Sequence, residues 1–425
     1  MEGWSTKRLC EVGRIVTGKT PPTAINANYG GDVPFVTPTD MDGRRTIDRT
    51  LRTLSQTGVR TIGSSYVPSS AVIVSCIGSD MGKAALVDRP FVSNQQINSI
   101  IVSPDYDRKF VYYNLAHRRD EIRFKASGAA QPIMNKSDFG NLMIDIPILG
   151  EQRAIAAVLS ALDDKIELNR RMNETLEASA RALFRDWFVD FGPTRAKAEG
   201  SPAYLAPDLW SLFPDRLNDD GVPRGWEWST IGEEVEAVGG STPSTKDAAL
   251  WDGGIAWTTP KDLSDLGSPF LLDTARTITE AGLRTISSGL LPAGTVLMSS
   301  RAPVGYLAIA SVPLAVNQGY IAMKCTGRVS NWNAYLWAHE NMDAIISNAN
   351  GSTFQEISKK NFRPLSILVA DDATRSAFDR LVGPMFESIT ANVIESRTLA
   401  ATRDALLPKL MSGEIRVRDA EALAA

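Results

Sequence analysis

The segment Gly13-Arg14-Ile15-Val16-Thr17-Gly18-Lys19-Thr20 has the spacing of a phosphate-binding loop, in which backbone amides and a lysine cradle a nucleotide. Such a loop must feed directly into a helix, whose first-turn N–H groups complete the cradle. Here Thr20 precedes Pro21-Pro22. Proline drives the residue before it out of the helical region, and two donors are lost. The equivalent stretch in the second half of the chain, Val235 to Thr242, lacks both the first glycine and the lysine. A P-loop nucleotidase is therefore the alternative reading, and nucleotide binding by the isolated chain discriminates it.

Other catalytic chemistry has little to draw on. The 425 residues include two histidines, His117 and His339, and three widely spaced cysteines, Cys10, Cys76 and Cys325. That predicts no structural zinc site, no histidine-based catalysis and free thiols in a reducing cytoplasm. The sequence has no Asn/Asp-Pro-Pro-Tyr/Phe motif of amino methyltransferases, no glycine-rich cofactor loop after a strand and no nuclease-like carboxylate cluster. The expectation is a non-catalytic chain that binds no cofactor or metal itself.

Basic and amide side chains offer more. The first half carries Arg44-Arg45, Arg49, Arg52, Arg60 and Lys83, and the second Arg276, Arg284, Arg301 and Lys359. Together they could neutralise phosphates, and an arginine fork can read a guanine edge. Singly, each is also what a solvated surface contains. The small polar loops around Gln131 and Gln355 read equally as turns or as base-contacting fingers. Asn94-Gln95-Gln96 and Asn317-Gln318 suit adenine, though amides at a strand edge are commonly structural. Phe35, Trp251 and Trp257 alternate with polar residues and read as core.

The elements that must position these residues are duplicated. Gly3-Trp4 reappears as Gly225-Trp226, and Val33-Pro34-Phe35-Val36-Thr37-Pro38-Thr39-Asp40 matches Ile255-Ala256-Trp257-Thr258-Thr259-Pro260-Lys261-Asp262, both 222 residues on. Arg52-Thr53, Asn94-Gln95 and Gly128 through Phe139 find partners within two residues of that offset, at Arg276-Thr277, Asn317-Gln318 and Gly351 through Phe362. Each copy has a mixed part, with β-branched runs broken by turn residues, followed by a long helical stretch.

In the first helical stretch, Ile155, Leu162, Asn169, Leu176 and Leu183 recur every seven residues, each followed four later by a second seam position. Phe378, Met385, Asn392, Leu399 and Leu406 repeat that seam in the second stretch. Heptad seams predict two helices that pack on each other, each roughly 60 Å long at about 1.5 Å per residue. Asn169 and Asn392 share one heptad position, where a polar residue sets register.

With 43% hydrophobic and 22% charged residues the composition is that of a soluble globular protein. No apolar run reaches the eighteen or so residues of a membrane span, and the N-terminus is unlike a signal peptide. The formal charge of -4 means that any basic surface is local or completed by partners.

These features resemble the specificity subunit of type I restriction-modification systems. The likeness rests on Pro147 through Ala156 entering the first helix, Leu183-Phe184-Arg185-Asp186-Trp187-Phe188-Val189-Asp190-Phe191 leaving it, and Leu406-Leu407-Pro408-Lys409-Leu410-Met411-Ser412-Gly413-Glu414-Ile415 closing the second. Asp371-Asp372-Ala373-Thr374-Arg375 departs from the usual Glu-Gln-Arg entry. The resemblance implies an α+β chain with an internal pseudo-twofold repeat: target-recognition domains at 1–150 and 223–370, spacer helices at 151–191 and 371–413, a linker at 192–222 and a tail at 414–425. It implies an antiparallel coiled coil and a cytoplasmic subunit reading a bipartite site on double-stranded DNA. It further implies two methylase subunits and restriction/motor subunits as partners, which would carry S-adenosylmethionine, ATP and Mg2+. The third reading is a coiled-coil scaffold that binds only protein.

Overall fold

The computed structural model describes residues 3–125, 133–264, 266–301, 303–351 and 355–417. The chain forms two compact units, residues 1–168 with 395–425, and residues 169–394. The two long helices, Leu149–Phe188 and Asp372–Met411, are each divided between the units, so they are parts of both cores rather than a module apart.

In the first unit, Ser5–Arg8 pairs antiparallel with Met143–Ile146, which ties the first strand to the segment just before the first long helix. One four-stranded sheet has the order Gly13–Thr17, Ile97–Val102, Ala71–Ser75, Ala84–Val87. The run Ala71-Val72-Ile73-Val74 is wholly buried because both faces of its sheet are covered. Val72 and Val74 pack with Phe110 and Val111 of the helix Arg108–His117, whereas Ala71 and Ile73 face Val36, Val67 and Phe91. A second sheet has the order Arg52–Leu54, Tyr29–Val36, Phe91–Ser93, Tyr66–Val67, with its central pair parallel.

The second unit repeats this arrangement with its strands divided five and three between the two sheets. Glu227–Thr230 pairs with Ser366–Val369, Val296–Ser299 takes the central place of Ala71–Ser75, and Trp251–Thr258 that of Tyr29–Val36. Even an irregularity recurs: Tyr29 and Val33 both face Leu54, as Trp251 and Ile255 both face Ile278. The residue after each aromatic is left-handed, Gly30 at φ 81° and Asp252 at φ 59°.

The predicted seams are buried seams. In the first unit Ile155, Leu159 and Leu162 share a core with Leu399, Leu406 and Leu410. In the second, Leu176, Ala180, Leu183 and Trp187 pack with Phe378, Val382, Met385 and Ile389. Within each unit an early stretch of one helix meets a late stretch of the other, so the packing is antiparallel.

One expectation changes. The stretch 192–222 is not a bare linker: it carries the helices Gly192–Ala198 and Pro207–Leu212, and Phe213 packs edge-on against Trp187 at 4.8 Å. Its Pro and Gly residues start helices and turns around that anchor. The unusual entry of the second helix is also accounted for. Gln152 accepts from the Asp107 amide at 2.9 Å and donates to the Pro147 carbonyl at 2.8 Å. At the corresponding position Arg375 donates to the Ala370 carbonyl at 2.9 Å and also reaches the Arg328 carbonyl. A longer donor replaces the amide, and both carbonyl contacts are backbone contacts that fix helix to domain.

Candidate nucleic-acid interface

The duplicated Thr-Pro-x-Asp motif builds a loop anchor. Asp40 accepts from the Thr37 amide and hydroxyl at 2.8 and 2.7 Å and from the Leu51 amide at 2.8 Å. Asp262 accepts from the Thr259 amide and hydroxyl at 2.7 and 3.0 Å and from the Ala275 amide at 3.0 Å. Each aspartate thus pins both ends of the loop that leads to Arg52 or Arg276.

The phosphate-loop pattern has a different use. Gly13–Thr17 is a strand, and the Gly18 and Lys19 amides donate to the carbonyls of Ile97 and Ser93 at 3.1 and 2.9 Å. Amides spent on a neighbouring strand cannot hold phosphate. A side chain at Gly18 would lie 2.0 Å from the Asn94 carbonyl oxygen, and one at Gly240 would lie 1.7 Å from that of Val316. The glycines permit this approach, which brings the Thr20 hydroxyl to Gln95 Oε1 at 2.7 Å and the Thr242 hydroxyl to Gln318 Oε1 at 2.8 Å. Both glutamines are exposed, and each threonine holds the amide oxygen so that the NH2 group is free to donate outward. The sequence names these glutamines but gives no sign of their threonine partners, which lie about 75 residues away in the chain.

The basic residues separate into spent and presented. Arg45 is spent: its side chain is 16% exposed, pairs with Asp164 and donates to the Ser160 carbonyl at 3.3 Å. Burial disfavours its charge, but the bonds to Tyr113 and Asp164 outweigh that and hold it protonated. It is removed from the candidate surface because it clamps the recognition domain to the first helix. Arg44 pairs with Asp42 at 2.5 Å and Lys83 with Asp80 at 2.7 Å. Arg49, Arg60, Arg284, Gln355 and Lys359 are exposed. Arg301 lies 4.0 Å from Glu356, at the end of the Gln355 loop. Gln131 lies outside the described residues.

Arg52 and Arg276 are exposed yet held. Arg52 sits 4.3 Å from the Tyr29 ring centre, and Arg276 sits 3.4 Å from that of Trp251. Phe35, Trp251 and Trp257 are core residues, as their alternation suggests. Beside Arg52 a cavity of about 490 Å³ is lined by Thr37, Thr39, Asn94, Gln96 and Asp80, all able to meet polar edges. Elsewhere burial pushes the Cys76 thiol up to about 11, which keeps it an inert core group. Among the described residues no three His, Cys, Asp or Glu side chains converge as a metal site, and no helix is long and apolar enough to cross a membrane. What the surface offers is hydrogen-bond donors and positive charge on two equivalent scaffolds.

Residues 1–178 and 223–370 each match the family described as type I restriction modification DNA specificity domain. The chain is 25% identical over 424 residues to the type I restriction enzyme MjaIX specificity subunit of Methanocaldococcus jannaschii, covering 98% of this chain and 94% of that one. It is 26% identical over 363 residues to the HindI specificity subunit of Haemophilus influenzae, covering 75% and 79%. In fold it is similar to the crystal structure of a type I S subunit from M. genitalium, with a TM-score of 0.57, 17% identity and 96% of both chains covered. With its family domain present twice on a duplicated scaffold, the chain belongs to the type I restriction-modification DNA specificity family.

Proposed function

We propose that this chain is the DNA-reading subunit of a type I restriction-modification complex. Residues 1–150 and 223–370 each read one short half-site of a split target, chiefly in the major groove, and the long helices carry both readers. Two methylase subunits dock along the helices and supply S-adenosylmethionine and the catalytic residues. Restriction/motor subunits, with ATP and Mg2+, join for cleavage. The complex works in the cytoplasm, where the host DNA is.

The observation that carries this reading is the residue-for-residue duplication of polar surface devices: Thr20–Gln95 with Thr242–Gln318, and Arg52 with Arg276. A protein-binding scaffold has no use for two copies of both an oriented amide and a stacked arginine. Arg44, Arg49, Arg60, Lys83, Arg284, Arg301, Gln355 and Lys359 supply the remaining contacts. The nucleotidase alternative is disfavoured by the paired amides of Gly18 and Lys19.

Mapping N6-methyladenine in DNA exposed to the assembled complex tests the proposal. The expected map has methylated adenines only within a two-part motif of constant gap, with DNA binding that weakens as salt rises. Methylation without sequence preference, or binding indifferent to salt, would reject it.

A further inference from the structure

Each half of the chain holds the same stacked arginine. The Arg52 guanidinium is 4.3 Å from the Tyr29 ring centre and 5.9 Å from that of Phe35; Arg276 is 3.4 Å from Trp251 and 5.7 Å from Trp257. The aromatic positions correspond one to one across the repeat.

Their supports are of the same kind, with the acceptor one position further on in the second half. The Tyr29 hydroxyl donates to the Pro21 carbonyl at 2.9 Å, and the Trp251 indole N–H donates to the Ser244 carbonyl at 3.0 Å. The hydroxyls of Thr50 and Thr274 each donate to the arginine's own carbonyl at 2.7 Å. The left-handed residue after each aromatic is retained even where it is Asp252 rather than glycine. Left-handed backbone at a non-glycine residue is uncommon, and such strain persists mainly at working sites.

An arginine can cover an aromatic core simply to seal it. Arg52 and Arg276 do more than that, because both are exposed and neither has a carboxylate partner among the described residues. A guanidinium held over a ring has surrendered rotamer freedom in advance. Its edge of N–H donors stays open to a ligand with two acceptors. In DNA those are the O6 and N7 of guanine or two oxygens of a phosphodiester.

Duplication decides between the two. Half-sites of one target need not share a base, but both have the same backbone. Base discrimination falls instead to positions where the halves differ. One such place is the bridge that pairs Ile77 with Ile133 in the first half and Arg301 with Glu356 in the second.

From this we infer that Arg52 and Arg276 are sequence-independent phosphate anchors, one per half-site, pre-oriented by their aromatic platforms. The inference rests on the DNA-reading function proposed above. It assigns the two arginines to register and affinity, and the unlike residues around them to specificity.

The full-length chain, assembled with its methylase subunits, is titrated by fluorescence anisotropy with its target duplex and with a scrambled duplex over a salt series. Arg52→Ala is expected to weaken both duplexes by the same factor, about three- to tenfold, and to flatten the slope of log K against log salt by about one. Arg276→Ala should do the same, and the double variant should flatten it by about two. Should the alanine variant fail to fold, Arg52→Gln keeps the length without the charge and gives the same readout, while Arg52→Lys should keep the slope. The methylated motif stays unchanged in all of them. Loss confined to the target duplex, with relaxed recognition at one base pair, would overturn the inference in favour of guanine reading. Unchanged affinity and slope would overturn it in favour of a core seal. A wild-type complex that binds neither duplex would overturn the proposed function, and this inference with it.

Discussion

Asn392 donates its side-chain amide to Oδ1 of Asn173 at 2.9 Å, across the seam between the two long helices. Beside it, Asn169 donates to the Asn392 carbonyl at 3.4 Å. Asn169 is fully buried and Asn173 nearly so. Polar groups at these depths allow few alternative pairings, so the trio fixes how the helices align where an all-leucine seam would tolerate slippage.

Asn392→Ala should therefore lower stability by about 1–3 kcal/mol, because it strands the Asn173 carbonyl in the seam. Replacing Asn173 and Asn392 together by leucine should cost much less or even stabilise, at the expense of register. Urea midpoints of the single and double variants compare the two directly. A single variant as stable as the parent would remove the asparagines from the alignment of the helices.

Arg45→Ala should reduce stability rather than DNA affinity. The side chain is largely covered, and its loss leaves Asp164 without its guanidinium partner and removes the bond to the Ser160 carbonyl. A partly exposed pair of this kind is worth about 1–2 kcal/mol. Thermal melting and the salt-dependent titration, run on the same variant, separate the effects. A change in salt slope with an unchanged melting point would return Arg45 to the DNA surface.

Lys19→Ala should leave DNA recognition within a few fold and remove no ATP hydrolysis. The backbone amides that a phosphate would need are already bonded to Ile97 and Ser93. A phosphate-release assay on the isolated chain is the check, and hydrolysis that depends on Lys19 would reverse the reading of that segment.

Features with a period were legible in the sequence. The repeat offset placed Tyr29–Val36 over Trp251–Thr258, and the seven-residue spacing picked seam positions from Ile155 to Leu406 that are buried or half-buried. Features made by distant partners were not. Arg45 looks like any surface arginine until Asp164 is brought to it, more than a hundred residues on. The Pro and Gly content of 192–222 suggested slack chain, because one Phe213 anchoring on Trp187 leaves no periodic trace. Likewise, the platform under Arg52 depends on a strand irregularity that puts Tyr29 opposite Leu54, and no local pattern announces it.

If the two halves are separable readers on one scaffold, exchanging one of them must leave the other's target intact. Residues 1–150 are replaced by the corresponding domain of a family member with a different target, and N6-methyladenine is mapped in DNA methylated by the reassembled complex. Each recognition domain has its own sheets, its own Asp40 or Asp262 loop anchor and its own stacked arginine. The expected motif has one half changed to the donor's and the other half retained. A map in which both halves change together, or in which neither does, would contradict it.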